Sequence, residues 1–310
     1  MNRNYFLLRA VLTAAITVSL LAMPVWGQSE KAAGGNGGQN GGKGDKTTSK
    51  IEYHNGRVMT SASNVYLIWY GNWSGVVLGS DPETQAKIVE FIIALGGSPY
   101  FMINTGYPNG NGLAPSGGLI YGGSVIDLQT RGFELNALAI EQIVTDKLDQ
   151  MELPVDPRGI YIVLASSNIS ANSLGFCAPN TPPHHGHFLR NGFPLPYAFI
   201  GNPWRCPAVG APQFTLPNGT KLPTPNDNFG SDSIANSLAA VLSATITNPT
   251  GQAWFDRYGL ENSTKCMNTF GETYVTANGA QANLKLGGRD YLIQQNWVNG
   301  RQGRCGLSLP

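Results

Sequence analysis

The sequence is poor in charged residues. Asp, Glu, Lys and Arg make up 13% of its 310 residues, whereas about 25% is usual in soluble domains. The formal net charge is only +1, so no strong electrostatic field attracts a polyanion. We therefore predict that nucleic acid is not a partner of this protein.

The motifs that define several enzyme classes are also absent. There is no G-x-S-x-G of a serine hydrolase, and the glycine-rich stretch at 34–44 lacks the G-K-[ST] ending of a phosphate loop. No C-x-x-C pair indicates a zinc ribbon. Serines are plentiful and neighbouring histidines could each act as a base, but no spacing supports a catalytic triad.

The N-terminus is predicted to be a signal peptide, residues 1–27. A basic start with Arg3 and Arg9 precedes the apolar run AVLTAAITVSLLAM, and Val25 and Gly27 suit cleavage near Gly27. The apolar run is shorter than the roughly 20 residues that span a bilayer. This favours a secreted protein over an anchored one, with no transmembrane segment after signal removal.

Residues 28–50 are predicted to be a flexible, glycine-rich linker. They lack aromatic and large aliphatic side chains, so they cannot bury enough surface to become ordered alone. No second stretch of this composition follows. Residues 51–310 are therefore predicted to form one globular domain.

Strand and helix patterns alternate along this domain, which predicts an α/β fold with a twisted, mixed sheet and packed helices. The high content of glycine (39) and proline (20) predicts many loops, most of them after Ser170. Predicted strands cover 63–73, 100–110, 118–128, 159–169 and 196–202, and short strands follow near the C-terminus. Predicted helices cover 81–97, 134–151 and 231–247.

The four cysteines predict two disulfides, because an even count is typical of an exported chain. Three connectivities are possible. We favour Cys177–Cys206 and Cys266–Cys305, because each of these pairs closes a shorter loop. These bonds would brace the loop-rich second half of the domain.

Three of the four histidines lie together in the segment TPPHHGHFLRNG, which we predict to be a loop. His185 and His187 are two residues apart and face the same side of an extended chain, so with a third ligand they could hold zinc or copper; His184 is a further candidate. The alternative is a polar histidine-rich loop without a function. The predicted helix 231–247 cannot supply a further metal ligand, because it has no ionisable side chain after Asp232.

Aromatic residues supply a second set of candidate binding residues. Trp69, Tyr70, Trp73 and Trp204 could stack on a sugar. The alternative is that they belong to the core, where such residues are more often found.

Five phrases, taken in order, resemble the EXORDIUM-like, or phosphate-induced, family of secreted proteins. They are NVYLIWYGNWS, IYIVLASSNI, LPYAFIGNPWRCPAVGAP, ATITNPTGQAWF and YLIQQNWV. The resemblance covers residues 64–305. It implies an extracellular or cell-wall protein linked to growth, with a zincin-like layout in which the 231–247 helix is central.

The resemblance also implies a zinc-peptidase-like site that this sequence does not retain. The histidine and glutamates of the family's helix fall on Ala240, Val241 and Ala244, and its acidic residues around a cysteine fall on Thr264 and Met267. None of these side chains except threonine carries a polar group. Metal binding needs three or four ligands, so the resemblance implies the loss of metal-dependent catalysis.

We therefore predict a secreted, non-catalytic protein that binds a cell-wall glycan or an extracellular protein and needs no cofactor. The alternative is a metal-dependent hydrolase that holds zinc with His184, His185 and His187. That alternative needs carboxylates from elsewhere, and Asp227, Asp232 and Glu272 are the candidates by sequence proximity.

Overall fold

The structure is a computed structural model that describes residues 50–208, 219–300 and 302–310. The predicted signal peptide, and the predicted linker apart from Lys50, lie outside the described residues. Both remain predictions. In the part of the chain that the structure describes, no helix is long and apolar enough to cross a membrane.

Strands and helices alternate in the first half of the domain, and short strands dominate the end. The elements are β1 (Ile51–Tyr53), β2 (Ser63–Tyr70), α1 (Pro82–Leu95), β3 (Leu119–Asp127), α2 (Ala137–Asp149), β4 (Gly159–Ala165), β5 (His184–Arg190), β6 (Phe193–Ile200), α3 (Phe229–Thr247), β7 (Trp254–Asp256), α4 (Asn262–Lys265), β8 (Tyr274–Val275), β9 (Gln281–Ala282), β10 (Leu284–Leu286), β11 (Arg289–Tyr291), β12 (Asn296–Val298) and β13 (Arg304–Gly306).

The central sheet has five strands in the order β3-β2-β4-β6-β5. The first four run parallel, and β5 pairs antiparallel with β6 at the edge. This confirms the predicted mixed sheet. The inner strands β2 and β4 are almost wholly buried, because helices cover both faces of the sheet.

The two faces of β2 show how the sheet divides the core. Val65, Leu67 and Trp69 pack on one side with residues of α1 and α3. The intervening Tyr66, Ile68 and Tyr70 pack on the other side with residues of α2. Side chains alternate along a strand, so one apolar run of sequence serves two separate clusters.

Local signals in the sequence fix the ends of the first helix. The Asp81 carboxylate accepts a hydrogen bond from the Thr84 amide at 2.7 Å, and Pro82 occupies the first turn. Helix α3 begins at Phe229, two residues before the predicted start, because the Asn228 side chain caps the Ser231 amide. Almost every residue of α3 is buried, which confirms its predicted central place.

The prediction of a strand at 100–110 is wrong. Residues Phe101–Gly106 form a 3-10 helix, and the Ser98 hydroxyl accepts from the amide of Phe101 at its start. Phe101 and Ile103 are apolar and buried, so this apolar run fits a short buried helix as well as a strand.

The prediction of a histidine-rich loop is also wrong, since His184, His185 and His187 lie on strand β5. The hairpin that joins β5 to β6 turns at Asn191 and Gly192, which have φ of 52° and 79°. Asn-Gly is the preferred pair for a turn with two positive φ angles. That dipeptide is the sequence signal that could have identified the strand.

Both disulfides have the favoured connectivity. Cys177 is bonded to Cys206, and Cys266 is bonded to Cys305. The first bond ties the segment before β5 to the turn after β6. The second ties the end of α4 to β13, so each bond braces irregular chain in the second half.

Candidate functional site

A cavity of about 290 Å³ opens between the Cys177–Cys206 disulfide and the helices α3 and α4. The segment 178–183 forms one wall, and Ser233, Ser237 and Ala240 of α3 form the opposite wall. We call this space the first cavity. Its position follows from the disulfide, which holds the segment before β5 beside the helix.

The first cavity is lined by neutral groups. Its described lining holds hydroxyl and carboxamide side chains, one histidine (His184), prolines and the rings of Phe176 and Phe199. No Asp, Glu, Lys or Arg belongs to this described lining. Its amide side chains are those of Asn180, Asn236, Asn268 and Gln294. Such groups both donate and accept hydrogen bonds without a charge.

A second cavity of about 260 Å³ adjoins the first. The two share part of their walls, including Pro183, His184 and Ser263. His185 and Glu261 line only the second of the two. The second cavity therefore places His184 and His185 beside Val241 and Ala244 of α3.

His185 and Glu261 form the most polar contact of this region. The Nε2 atom of His185 lies 2.9 Å from a Glu261 carboxylate oxygen, and the side chains are 13% and 15% exposed. The Asn248 amide donates to the other oxygen at 2.6 Å. Burial lowers the pKa of His185, but the charge and hydrogen bond of Glu261 outweigh burial and raise it overall.

The pKa values of the other two histidines are lowered, in contrast to that of His185. For His184 the main cause is burial, and its Nε2 atom is buried without a hydrogen-bond partner in the described structure. His187 is exposed, and its pKa is also lowered, mainly by partial desolvation. The pairing with β6 places His185 and His187 on the same face of β5, as their spacing predicted.

Zinc does not fit the side chains that face these histidines. Ala240 lines the first cavity, and Val241 and Ala244 line the second, at the positions where the family's helix is expected to carry its ligands. Thr264 and Met267 occupy the wall across from them. Throughout the described ranges, no group of three or more His, Cys, Asp and Glu side chains is placed to hold a metal.

The carboxylates nominated by sequence proximity lie outside both cavities. Asp232 accepts hydrogen bonds from the backbone and side chain of Asn226, and Asp227 accepts from Asn278. Glu272 is exposed. Among the described residues, Glu261 is a carboxylate in contact with a histidine, and the sequence does not indicate it because 76 residues separate it from His185.

The candidate aromatic residues mostly lie in the core. Trp69, Tyr70 and Trp73 are 4%, 0% and 5% exposed, so they present no surface to a ligand in this conformation. Trp204 is half-buried and packs on Phe229, with ring centroids 4.9 Å apart. Its neighbours Pro203 and Cys206 line the first cavity.

The fold and the site together define an α/β domain with a cleft between a sheet edge and a buried helix, in which the described charged groups are those of the His185–Glu261 contact. Residues 51–302 match the family model described as phosphate-induced protein 1 conserved region, and the chain belongs to that family. This confirms the resemblance drawn from the five phrases of the sequence.

Similar proteins come from plants. EXORDIUM-like 3 of Arabidopsis thaliana is 29% identical over 232 residues, which cover 69% of this chain and 66% of that protein. EXORDIUM-like 5 of the same plant is 25% identical over 288 residues, which cover 82% and 77%. PHOSPHATE-INDUCED 1 of Nicotiana tabacum is 25% identical over 231 residues, which cover 66% and 67%. No solved structure is significantly similar to the chain.

Proposed function

We propose that this protein is an extracellular, non-catalytic carbohydrate-binding protein whose first cavity takes a neutral sugar of a cell-wall polymer. Two disulfides and a predicted signal peptide support the extracellular location, because disulfides persist in oxidising compartments. The names of the similar proteins state no ligand, so the support for a sugar ligand comes from the residues that line the cavity.

The chemistry of the first cavity carries the proposal. Sugars present hydroxyl groups that both donate and accept, together with apolar C–H faces. The carboxamides and hydroxyls of the cavity match the hydroxyl groups. The Phe176 ring and the prolines of the 178–183 segment offer apolar surface for the C–H faces. A charged ligand would find no counter-charge in the described lining.

The same lining supports binding rather than cleavage. Glycoside hydrolases typically use a pair of Asp or Glu side chains on either side of the scissile bond. The first and second cavities together contain one described carboxylate, Glu261, and it is already engaged by His185 and Asn248. Metal-assisted hydrolysis would need ligands at Ala240, Val241 and Ala244, which have none.

The test is a glycan array probed with the mature protein and two matched variants. Ser237→Trp places a large ring in the first cavity from a half-buried position on α3. Gln142→Trp is the control, a half-buried position on α2, across the sheet. We expect binding to neutral wall oligosaccharides, loss of at least about tenfold in affinity for Ser237→Trp, and no change for the control.

Other outcomes would contradict the proposal. Equal binding by Ser237→Trp and the unaltered protein would show that the first cavity is not the site. A flat array combined with capture of an extracellular protein would favour a protein partner. Release of reducing sugar from a bound oligosaccharide would show that the protein is an enzyme.

A further inference from the structure

A third cavity of about 400 Å³ lies beyond the His185–Glu261 pair. Its lining includes His187 on β5, Asn248 and Thr250 after α3, and Phe255 on β7, whose ring has one face stacked on His54. His185 and Glu261 belong to the walls of both the second and the third cavity. The pair therefore stands at the junction of two spaces rather than at the end of one.

The three cavities follow one another along the seam between β5 and the helical side of the domain. The first and second adjoin at Pro183 and His184, and the third borders Gly186 and His187. A strand rises about 3.3 Å per residue, so the step from His184 to His187 spans roughly 10 Å. The cavities thus line up beside an extended chain, which suits an extended ligand.

We propose that the three cavities form one groove for a linear, neutral polysaccharide segment, which crosses the His185–Glu261 pair at its centre. The inference rests on the proposed function and specifies its ligand: a polymer of several sugar units rather than a single terminal sugar. The Glu261 carboxylate is partly exposed and has acceptor sites beyond those used by His185 and Asn248, so it can also accept a hydrogen bond from a sugar hydroxyl in the middle of the groove.

The charge of the groove selects the polymer. Across the described lining of all three cavities, Glu261 is the sole carboxylate, and neither Lys nor Arg contributes. An anionic polymer would therefore meet the Glu261 carboxylate at the centre and no Lys or Arg in the described lining, because the charge of a protonated His185 is already paired with Glu261. A neutral polymer meets hydroxyl, amide and imidazole groups on both sides of Glu261, and its hydroxyl groups can donate to that carboxylate.

The lining favours a glycan over a peptide. A peptide could pair with the edge strand β5, but such pairing also needs separate pockets for alternate side chains. The walls here mix hydroxyl, carboxamide and imidazole groups with apolar surface, and each outer cavity has a phenylalanine in its lining, Phe176 in the first and Phe255 in the third. Rings beside polar groups suit successive sugar units.

The experiment measures affinity for neutral oligosaccharide series of increasing length, each with an anionic uronic-acid series beside it. Thr250→Trp fills the third cavity from a half-buried position, and His187→Trp fills the same cavity from an exposed position on β5. Ser237→Trp again fills the first cavity, and Gln142→Trp is again the control. The melting temperature shows whether each variant is folded. If Thr250→Trp does not fold, His187→Trp provides the same test.

We expect affinity to rise with length in the neutral series and to stay weak in the anionic one. Filling the third cavity is expected to lower affinity for long oligomers about tenfold and to leave the shortest bound oligomer unchanged. Ser237→Trp is expected to weaken both.

The outcomes separate the two proposals. If the variants that fill the third cavity bind long oligomers as the unaltered protein does, while Ser237→Trp binds them less tightly, the groove is wrong. The proposed sugar site in the first cavity then still stands. Length-independent affinity, or preference for the anionic series, also overturns the groove. If Ser237→Trp does not change binding, both proposals are wrong. Both are also wrong if extended peptides bind the groove and oligosaccharides do not.

Discussion

The two halves of the domain are held together by different kinds of interaction. From β2 to β4 the chain alternates strand and helix, and its interior is packed with apolar side chains. After β6 each strand has only two or three residues, and in this second half two disulfides and buried polar contacts hold long loops in place. The candidate site lies in the second half but rests on the first, because α3 packs against the sheet on one side and lines the site on the other.

This contrast explains where a site can form. A core of apolar side chains fills its own space, and each position is fixed by shape. Loops tied by disulfides enclose space without filling it, and they present the polar groups that a ligand needs. Three experiments test this division, from the largest expected effect to the smallest.

Removal of a disulfide tests the second half most strongly. For Cys266→Ala combined with Cys305→Ala, the loop of 39 residues predicts a loss of about 4 kcal/mol in the free energy of unfolding. Urea denaturation measures the loss, and hydrogen exchange is expected to increase in β12 and β13 while β2 and β4 stay protected. A loss below about 1 kcal/mol would show that the loops do not depend on this bond.

A cavity in the sheet tests the first half. Ile162 on β4 is 0% exposed, and Ile162→Ala is expected to cost about 3 kcal/mol, since it removes buried surface and leaves a void. The matched control is Ile126→Ala on β3, which is 57% exposed and should change stability by less than about 0.5 kcal/mol. Equal losses at the two positions would contradict the packing described for β4.

The His185–Glu261 contact gives the smallest and most specific effect. The pKa of His185 is raised in the folded protein, so folding binds its proton more tightly than the unfolded chain does. The stability from this contact is therefore fully present below the usual histidine pKa of 6.5 and is lost as the pH rises through the raised value. His185→Gln should cost about 2 kcal/mol at low pH, and less as the pH rises.

Urea denaturation of His185→Gln and of the unaltered protein across this pH range measures the difference between their unfolding free energies. The lowered pKa values of His184 and His187 act in the opposite direction on each protein, and they largely cancel in the difference. A difference that grows as the pH rises would contradict the ion pair.

Sequence patterns predicted the elements that depend on neighbours along the chain. The apolar runs of β2 and β4, the capped helix α1 and the amphipathic helix α2 all lie within the predicted ranges. The cap at Asp81 and the alternation along β2 act over a few residues, so they are visible without the fold. The apolar run at 100–110 was assigned wrongly because both a strand and a short helix satisfy it.

The candidate site was predicted only in part. His184 and His185 were identified as residues of interest, and both face the cleft. Glu261 was not identified, because nothing near it in the sequence marks it as the partner of a histidine 76 residues away. Aromatic residues such as Trp69, Tyr70 and Trp73 occur both in sugar-stacking surfaces and in cores. Only their burial in the structure assigns them to the core.

The sequence by itself determined the family, the helices and inner strands, and an exported chain's pattern of four cysteines. These properties follow from residue types and from spacings of a few residues. The tertiary structure alone decided that the histidine segment is a sheet edge, that Glu261 engages His185, and that Ala240, Val241 and Ala244 line the same cleft. Those contacts join segments far apart in the chain, and only the packing of the whole domain brings them together.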